Sequence, residues 1–153
     1  MSDALEVHRH GGDAFELPLP HGWEWYENFE GCALVAREPE RDDEHLRANV
    51  VVTVERLEDG ESLDAWAARS LGALGESLRR HRVIDLGEVA VGDREGRRAL
   101  SHYVHGMYGG VCVEQWLVPA GGLGYVVSCT TAALEYDDLF DLMHAIGEGL
   151  RVG

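Results

Sequence analysis

The sequence contains no lysine. Its 13 basic residues are all arginine and face 28 acidic residues, which gives a net charge of −15. Such a charge repels phosphate backbones and anionic lipids, so the composition argues against nucleic-acid binding and binding to a membrane surface. An acidic surface could serve a basic partner, but acidity that only keeps a small protein soluble is the simpler interpretation.

Cysteine is scarce. Cys32, Cys112 and Cys129 are too few and too widely spaced for a disulfide framework, so we expect three reduced, buried thiols. Cys112 and Cys129 fall on the two arms of one predicted hairpin, and a two-residue turn at 120–121 would place them opposite each other. A loop that differs by one residue would send them to different faces.

Long apolar runs are also missing. The longest stretch without charge, 115–134, is interrupted by one proline and three glycines, so it predicts two strands joined by a turn and no membrane insertion. Residues 1–7 have neither a basic patch nor an apolar segment. We therefore expect no signal peptide and a cytoplasmic location.

The 153 residues have the length of a single domain with a sizeable core. Residues 1–13 show no periodicity and predict a flexible N-terminal tail, followed by one domain over 14–153. The acidic residues at 38–44 lack the spacing of a calcium-binding loop and predict a solvated loop.

Short strand-like runs occupy much of the chain. At 15–19 apolar residues alternate with others, and Pro18 and Pro20 mark an edge strand or a strand end. The run 49–57 is rich in β-branched residues and predicts a strand buried on both faces. Further strands are predicted at 23–26, 33–37, 83–91, 97–105, 111–118 and 124–131.

Two segments have helical periodicity. A helix is predicted over 62–81 with Ser62 as its N-cap, and apolar residues recur every three or four positions. A closing helix begins near Asp137 and Asp138 and has an apolar face that ends at Leu150. Because the last four strands are joined by short turns, they predict an antiparallel meander. The fold class is therefore α+β, with helices packed on the faces of an antiparallel sheet.

Several short motifs follow this order of elements. They are Phe-x-Leu-Pro-x-Pro-x-Gly-Trp at 15–23, Asn-Val-Val-Val-Thr-Val at 49–54, Ser-Leu at 62–63, and Thr-Thr at 130–131 before a closing helix that ends in Leu-Arg-Val. Together, over about 15–152, they resemble the Mog/PsbP-like superfamily, in pattern most like actinobacterial LpqN-type proteins and uncharacterised bacterial relatives. The resemblance implies an αβα sandwich in a bacterial binding or accessory module, and it carries no catalytic residues.

Histidines supply the first candidates for chemistry. His8 and His10 lie two apart, so on an extended chain they share a side and could bind a metal with a third ligand. A disordered terminus makes such a site entropically unfavourable, and we predict no metal there. His102 and His105 lie three apart on a predicted strand, which sends them to opposite faces.

A second candidate is a histidine–carboxylate pair in the meander. If His105 pairs with Val111 across the intervening loop, the same register places His102 opposite Glu114. Such a pair can form part of a general base, but Ser101 would point to the other face. We therefore expect an ordinary cross-strand pair.

Tryptophans could anchor a partner or a ligand, although large aromatic residues are more often part of the core. Trp66 is predicted to lie in the core, whereas Trp25 is left open.

The sequence assigns no catalytic, cofactor-binding or metal-binding residue, and we expect no cofactor. The expected function is a non-catalytic binding or accessory module that acts through another protein, with a homodimer left open. One alternative is a small-molecule-binding protein or weak enzyme with a pocket between sheet and helix. Another alternative, suggested by the resemblance, is a secretion-effector chaperone with an exposed apolar groove.

Overall fold

The computed structural model describes residues 4–41 and 45–153; parts of the predicted tail (1–3) and of the predicted charged loop (42–44) lie outside them. The α+β class is confirmed, because the strands form two antiparallel sheets and two α-helices pack against them. The elements are β1 (Leu5–His10), β2 (Phe15–Pro20), β3 (Glu24–Phe29), β4 (Cys32–Arg37), β5 (Asn49–Arg56), α1 (Leu63–Ser77), β6 (Arg82–Val91), β7 (Arg94–His105), β8 (Gly109–Ala120), β9 (Leu123–Ala132), α2 (Tyr136–Glu148) and β10 (Arg151–Val152).

The larger sheet has seven strands in the order β3-β4-β5-β9-β8-β7-β6. Strands β6 to β9 form the predicted meander, with each strand hydrogen-bonded to the next along the chain. Among the described residues, β3 and β6 are the two edge strands of this sheet, and each has a strand neighbour on one side.

The smaller sheet has the order β1-β2-β10, and it corrects the predicted tail. Residues 5–10 form β1, which pairs with β2 from Leu5↔Pro20 to His10↔Phe15. The inward side of β1 carries His8 and His10 while Val7 faces solvent, so apolar periodicity could not reveal this strand.

The sequence predicts an edge strand or a strand end at Pro18 and Pro20, and both descriptions apply in part: β2 ends at Pro20, and Pro18 lies in the part of β2 that has one free side. β10 pairs only with Phe15 and Glu16, so at Pro18 and Pro20 the strand has a neighbour on one side. A residue without an amide hydrogen is tolerated at such a position.

Three layers build the core. The smaller sheet and α2 cover one face of the larger sheet, where residues such as Leu17, Leu34 and Trp116 are fully buried. α1 covers part of the other face and packs on Leu117 and Val126. The prediction that β5 is buried on both faces is wrong, because its valines alternate between buried and partly exposed positions.

Both helices bury the apolar faces that the sequence predicts. Ser62 caps α1, since its hydroxyl accepts a hydrogen bond from the Ala65 amide at 3.1 Å, but the helix ends at Ser77, four residues before the predicted end. Trp66 is fully buried, as predicted. In α2, Met143 and Ile146 face the core. No helix in the described ranges has both the length and the apolar character needed to cross a membrane.

Candidate functional site

The predicted pair of His102 and Glu114 does not form across the strands. His102 lies opposite Cys112, and Glu114 lies opposite Leu100. The register differs by two residues because the loop between β7 and β8 has only three residues and β8 already begins at Gly109, whose φ is +76°. A shift of two preserves the face of each side chain, so Ser101 is on the opposite face, as expected.

The two hairpin cysteines share a face but are not opposite each other. Cys112 faces Thr131, and Cys129 faces Glu114, because the turn is formed by Gly121 and Gly122 one residue later than predicted. Both glycines have positive φ, which a tight two-residue turn requires and which Ala120 would resist.

All three thiols are free, and Cys112 and Cys129 are buried; Cys32 is partly exposed, so its predicted burial is wrong. Burial, reinforced by the charge of Glu114, raises the pKa of the Cys112 and Cys129 thiols. These two thiols are therefore protonated at neutral pH and poorly suited to nucleophilic chemistry.

A buried carboxylate joins α2 to the meander. The sequence alone does not identify it as the centre of a hydrogen-bond network. Glu114 is 2% exposed, and its Oε2 atom accepts hydrogen bonds from Arg98 and from His144 Nε2, the latter at 2.9 Å. The Tyr136 hydroxyl donates to Oε1 at 3.2 Å. Tyr136 and His144 are eight residues apart on α2, a spacing that places both on one helix face.

This network is closed to external molecules. The ring of Phe140 stacks on His144 with 3.9 Å between centroids, and the adjoining crevice beside Cys112, Cys129 and Thr131 has no room for a water molecule. Burial and the nearby Glu114 charge raise the pKa of Tyr136 to about 12. The arrangement can hold α2 on the sheet, because both carboxylate oxygens are already occupied by partners.

The histidines of β1 converge on one carboxylate of β3. His8 Nε2 lies 2.8 Å from Glu27 Oε1, and His10 Nε2 lies 3.9 Å from Glu27 Oε2. His10 Nδ1 accepts the amide hydrogen of Asp13 at 3.1 Å, so its Nε2 atom carries the proton in the neutral ring. A protonated Nε2 is not a metal ligand, and no group of three suitable side chains in 4–41 and 45–153 has the geometry to hold a metal ion.

Strand β3 is the most exposed strand of the larger sheet. All six of its residues are exposed, including three aromatic side chains, Trp25, Tyr26 and Phe29, that are between 43% and 51% exposed. Trp25 contacts His8 of β1 in an edge-on geometry at 4.5 Å. Tyr26 lies on the other face, with its ring 5.8 Å from that of Phe29. Aromatic surface thus flanks both sides of a free strand edge.

Ion pairs hold the first residues of β3 in place. Glu24 Oε2 accepts hydrogen bonds from Arg37 at 3.1 Å and from Arg47 at 2.8 Å, and mainly the Arg47 bond lowers the pKa of that carboxyl. The Arg37 guanidinium also lies 5.8 Å from the centre of the Tyr26 ring. An ordered strand edge loses less conformational entropy when it binds.

A groove continues from the Tyr26 face of the sheet. It has a volume of about 580 Å³ and is lined in part by Val35, Arg37, Leu46, Met107 and Tyr108. Val35 is the direct cross-strand neighbour of Tyr26. Met107, at the tip of the β7–β8 loop, is 75% exposed. Tyr26 and the groove therefore share one face of the sheet, the face that α1 covers only in part.

Comparison with known proteins rests on structure alone. No family model and no curated protein matches the sequence. Cyanobacterial PsbP from Synechocystis is 15% identical with a TM-score of 0.77, covering 100% of this chain and 95% of that one. The Ran-binding protein Mog1p from Saccharomyces cerevisiae is 14% identical with a TM-score of 0.69, covering 99% of this chain and 96% of that one.

A third similar structure is LpqN from Mycobacterium tuberculosis, a protein involved in cell envelope biogenesis. It is 15% identical with a TM-score of 0.64, covering 97% of this chain and 90% of that one. All three alignments extend over nearly the full length of this chain, so they compare whole folds. The chain therefore has a Mog/PsbP-like fold, which the LpqN-type proteins share.

Proposed function

We propose that this protein is a non-catalytic binding or accessory module of the cytoplasm, in which β1 and the predicted domain at 14–153 act as one unit and strand β3 recognises another protein. The observation that carries this proposal is the exposed aromatic edge of β3. An extended segment of the partner would add a strand beside β3 and place side chains on Tyr26 and Phe29.

The backbone of β3 supports this mode of binding. β3 pairs with β4 only, so the amide and carbonyl groups along its outer edge have no strand neighbour in the parts of the chain that the structure describes. Exposed strands of this kind pair readily with another chain unless charge or a bulge prevents it. Main-chain hydrogen bonds would provide affinity without demanding a particular sequence.

The side chains define the chemistry of the partner. Tyrosine, tryptophan and phenylalanine are enriched where proteins bind one another, and they contribute much of the binding energy at such surfaces. The net charge of −15, together with the exposed Glu30 just after β3, favours a basic segment over an acidic one. The expected partner segment is therefore extended, partly apolar and basic.

The structural comparison is compatible with this role. The yeast protein of similar fold is described as Ran-binding, so the fold can serve a protein that binds another protein. At 14% identity this likeness concerns the fold, and the partner of the present protein is to be found by experiment.

The test compares capture of proteins by the wild type and by Tyr26→Ser/Phe29→Ser from a lysate of the source cells. Leu134→Ser is the matched control, because Leu134 is 98% exposed and lies beyond the end of β9. We expect a basic protein to be captured by the wild type and the control, and its capture to fall at least about tenfold with the double variant. Equal capture by all three proteins, measured by quantitative mass spectrometry, contradicts the proposal.

The crevice beside Glu114 supports a second candidate, the small-molecule binder. Thr131 has a buried hydroxyl without a hydrogen-bond partner in the described residues, and it lines that crevice with Cys112 and Glu114. A ligand there would need α2 to move outward. A metabolite that raises the melting temperature of the wild type but not of Thr131→Val would favour this candidate over the binding module.

A further inference from the structure

The second free edge of the larger sheet, β6, has a different character from β3. We propose that two copies of this chain associate through β6, edge to edge and antiparallel, about a twofold axis that passes near Asp85–Gly87. The two seven-stranded sheets would then continue into each other. This inference does not depend on the proposed role of β3.

The first observation is an apolar patch on this edge. Val83, Ile84 and Leu86 lie within four residues and are between 44% and 60% exposed. A strand edge with adjacent exposed aliphatic side chains is an association hazard unless it is covered. A second copy would cover the patch with the same patch, as a twofold interface requires.

A glycine without a role inside the chain is the second observation. Gly87 lies in the middle of β6, and a Cβ atom added there would meet nothing within 4 Å. Its φ does not lie in the left-handed region, so no turn requires it. Glycine in a strand interior often marks the close approach of another backbone, and a partner strand across β6 would provide one.

The third observation is the distribution of charge along the edge, which indicates that the partner strand comes from a second copy of this chain. Arg79 and Arg80 lie just before β6 and Arg82 begins it; all three are exposed and form no ion pair among the described residues. Towards the other end lie Glu88 and Asp93, also exposed. An antiparallel twofold pairing places the basic end of each strand against the acidic end of its partner, so the edge is complementary to itself.

Two features of the edge could oppose this pairing, and both are local. The pairing of β6 with β7 is irregular between Val83 and Asp85, but it is regular from Asp85 to Val91. Asp85 lies near the proposed axis, where two carboxylates would approach each other, but Arg98 binds each at 2.7 Å. The overall repulsion between two acidic copies is screened beyond about 8 Å at physiological salt, so the charges in contact dominate.

A charge exchange tests the proposal. The first variant, Arg79→Glu/Arg82→Glu, reverses the basic end, and the second, Glu88→Arg/Asp93→Arg, reverses the acidic end. Each variant alone would bring like charges together at both ends of the interface, so we expect its dimer affinity to fall at least about tenfold below that of the wild type. An equimolar mixture of the two restores opposite charges at both ends, and we expect it to dimerise again.

Sedimentation velocity at physiological salt, over a series of concentrations, measures these outcomes. Ile84→Asp should also abolish the dimer, whereas Leu134→Asp, at a residue that is even more exposed but lies off this edge, should not. Circular dichroism and the melting temperature show whether each variant is folded. A wild type that stays monomeric at its highest soluble concentration overturns the proposal, as does a mixture that fails to dimerise. Because β3 is unchanged in all these variants, capture of a partner by β3 is a separate result.

Discussion

Glu114 is the residue whose environment differs most from its sequence-based interpretation. The sequence pairs it with His102 on the neighbouring strand, but its imidazole partner is His144, which comes from α2 thirty residues later in the chain. Strand alternation alone does not bring these polar groups together, because Tyr136 and His144 reach the same face of the sheet from α2. A buried charge of this kind depends on all its partners.

Replacement of Glu114 by alanine tests how strongly the network holds α2. Arg98, Tyr136 and His144 would lose their shared acceptor, and Arg98 would become a partly buried charge with Asp85 as its remaining partner. We expect the free energy of unfolding to fall by about 3 kcal/mol, the lower end of the range for breaking a buried ion pair. Urea denaturation measures this loss.

The matched control for this experiment is Glu76→Ala, which removes an exposed glutamate from α1. Its effect should stay within about 0.5 kcal/mol, as for most surface substitutions. Similar stabilities for both variants would show that the Glu114 network contributes nothing specific.

Residue pairings were harder to predict than residue faces. The faces of Ser101 and His102 follow from alternation and agree with the structure. Their partners depend on the lengths of the loops. The positive φ of Gly109 and Gly121 fixes where the turns lie, but several glycines stand close together in the sequence, so the sequence does not show which of them forms each turn. The Glu114 network depends on how α2 is placed, which has no local signal.

Among the secondary-structure elements, α2 shows how closely a helix can approach a sheet. A Cβ atom added at Gly147 would collide with the Trp116 indole, whereas one added at Gly72 of α1 would meet nothing within 4 Å. Both residues are glycines inside helices, where glycine lowers helix stability relative to alanine by about 1 kcal/mol. Only the first glycine has a packing reason.

Alanine substitutions at these two positions should have effects of opposite sign. Gly72→Ala should raise the free energy of unfolding by about 0.5 to 1 kcal/mol, because propensity improves and nothing is displaced. Gly147→Ala should lower it by about 1 to 3 kcal/mol, because the added methyl group overpacks the core against Trp116. Thermal and urea denaturation of the two variants provide the measurement, and stabilisation by Gly147→Ala would contradict the tight packing.

The helices and the meander were predictable because each carries a strong periodic signal. Ser62 caps the first helix as the pattern indicates, and the closing helix has the expected apolar face. β1 was missed because its inward positions hold histidines, so tertiary contacts with Phe15 and Glu27 determine its structure. The end of α1 was overestimated, since Leu78 already has an extended backbone.

The charge of the protein affects its overall stability. The net charge of −15 on 153 residues makes the negative charges repel one another. This repulsion is stronger in the compact folded state than in the unfolded chain, so it lowers stability. The many exposed arginine–glutamate pairs offset this only weakly, because surface ion pairs contribute about 0 to 1 kcal/mol each.

We therefore expect the melting temperature to rise when salt screens this repulsion. Increasing sodium chloride from about 0.01 M to about 0.15 M shortens the screening length from about 30 Å to about 8 Å, and the melting temperature should rise by several degrees at neutral pH. Near the isoelectric point that the sequence predicts, about 4.8, the same increase should have little effect, because the net repulsion is absent. A melting temperature that falls with salt at neutral pH would mean that the ion pairs outweigh the repulsion.

The strand order separates the two free edges by the full width of the larger sheet. With seven strands spaced about 4.8 Å apart, β3 and β6 lie about 29 Å from each other, too far for an occupant of one to obstruct the other. Copies joined at β6 would present two β3 edges at the far ends of one assembly. A target that carries two suitable segments could then be held at both, and multivalency would strengthen its capture well beyond the affinity of a single edge.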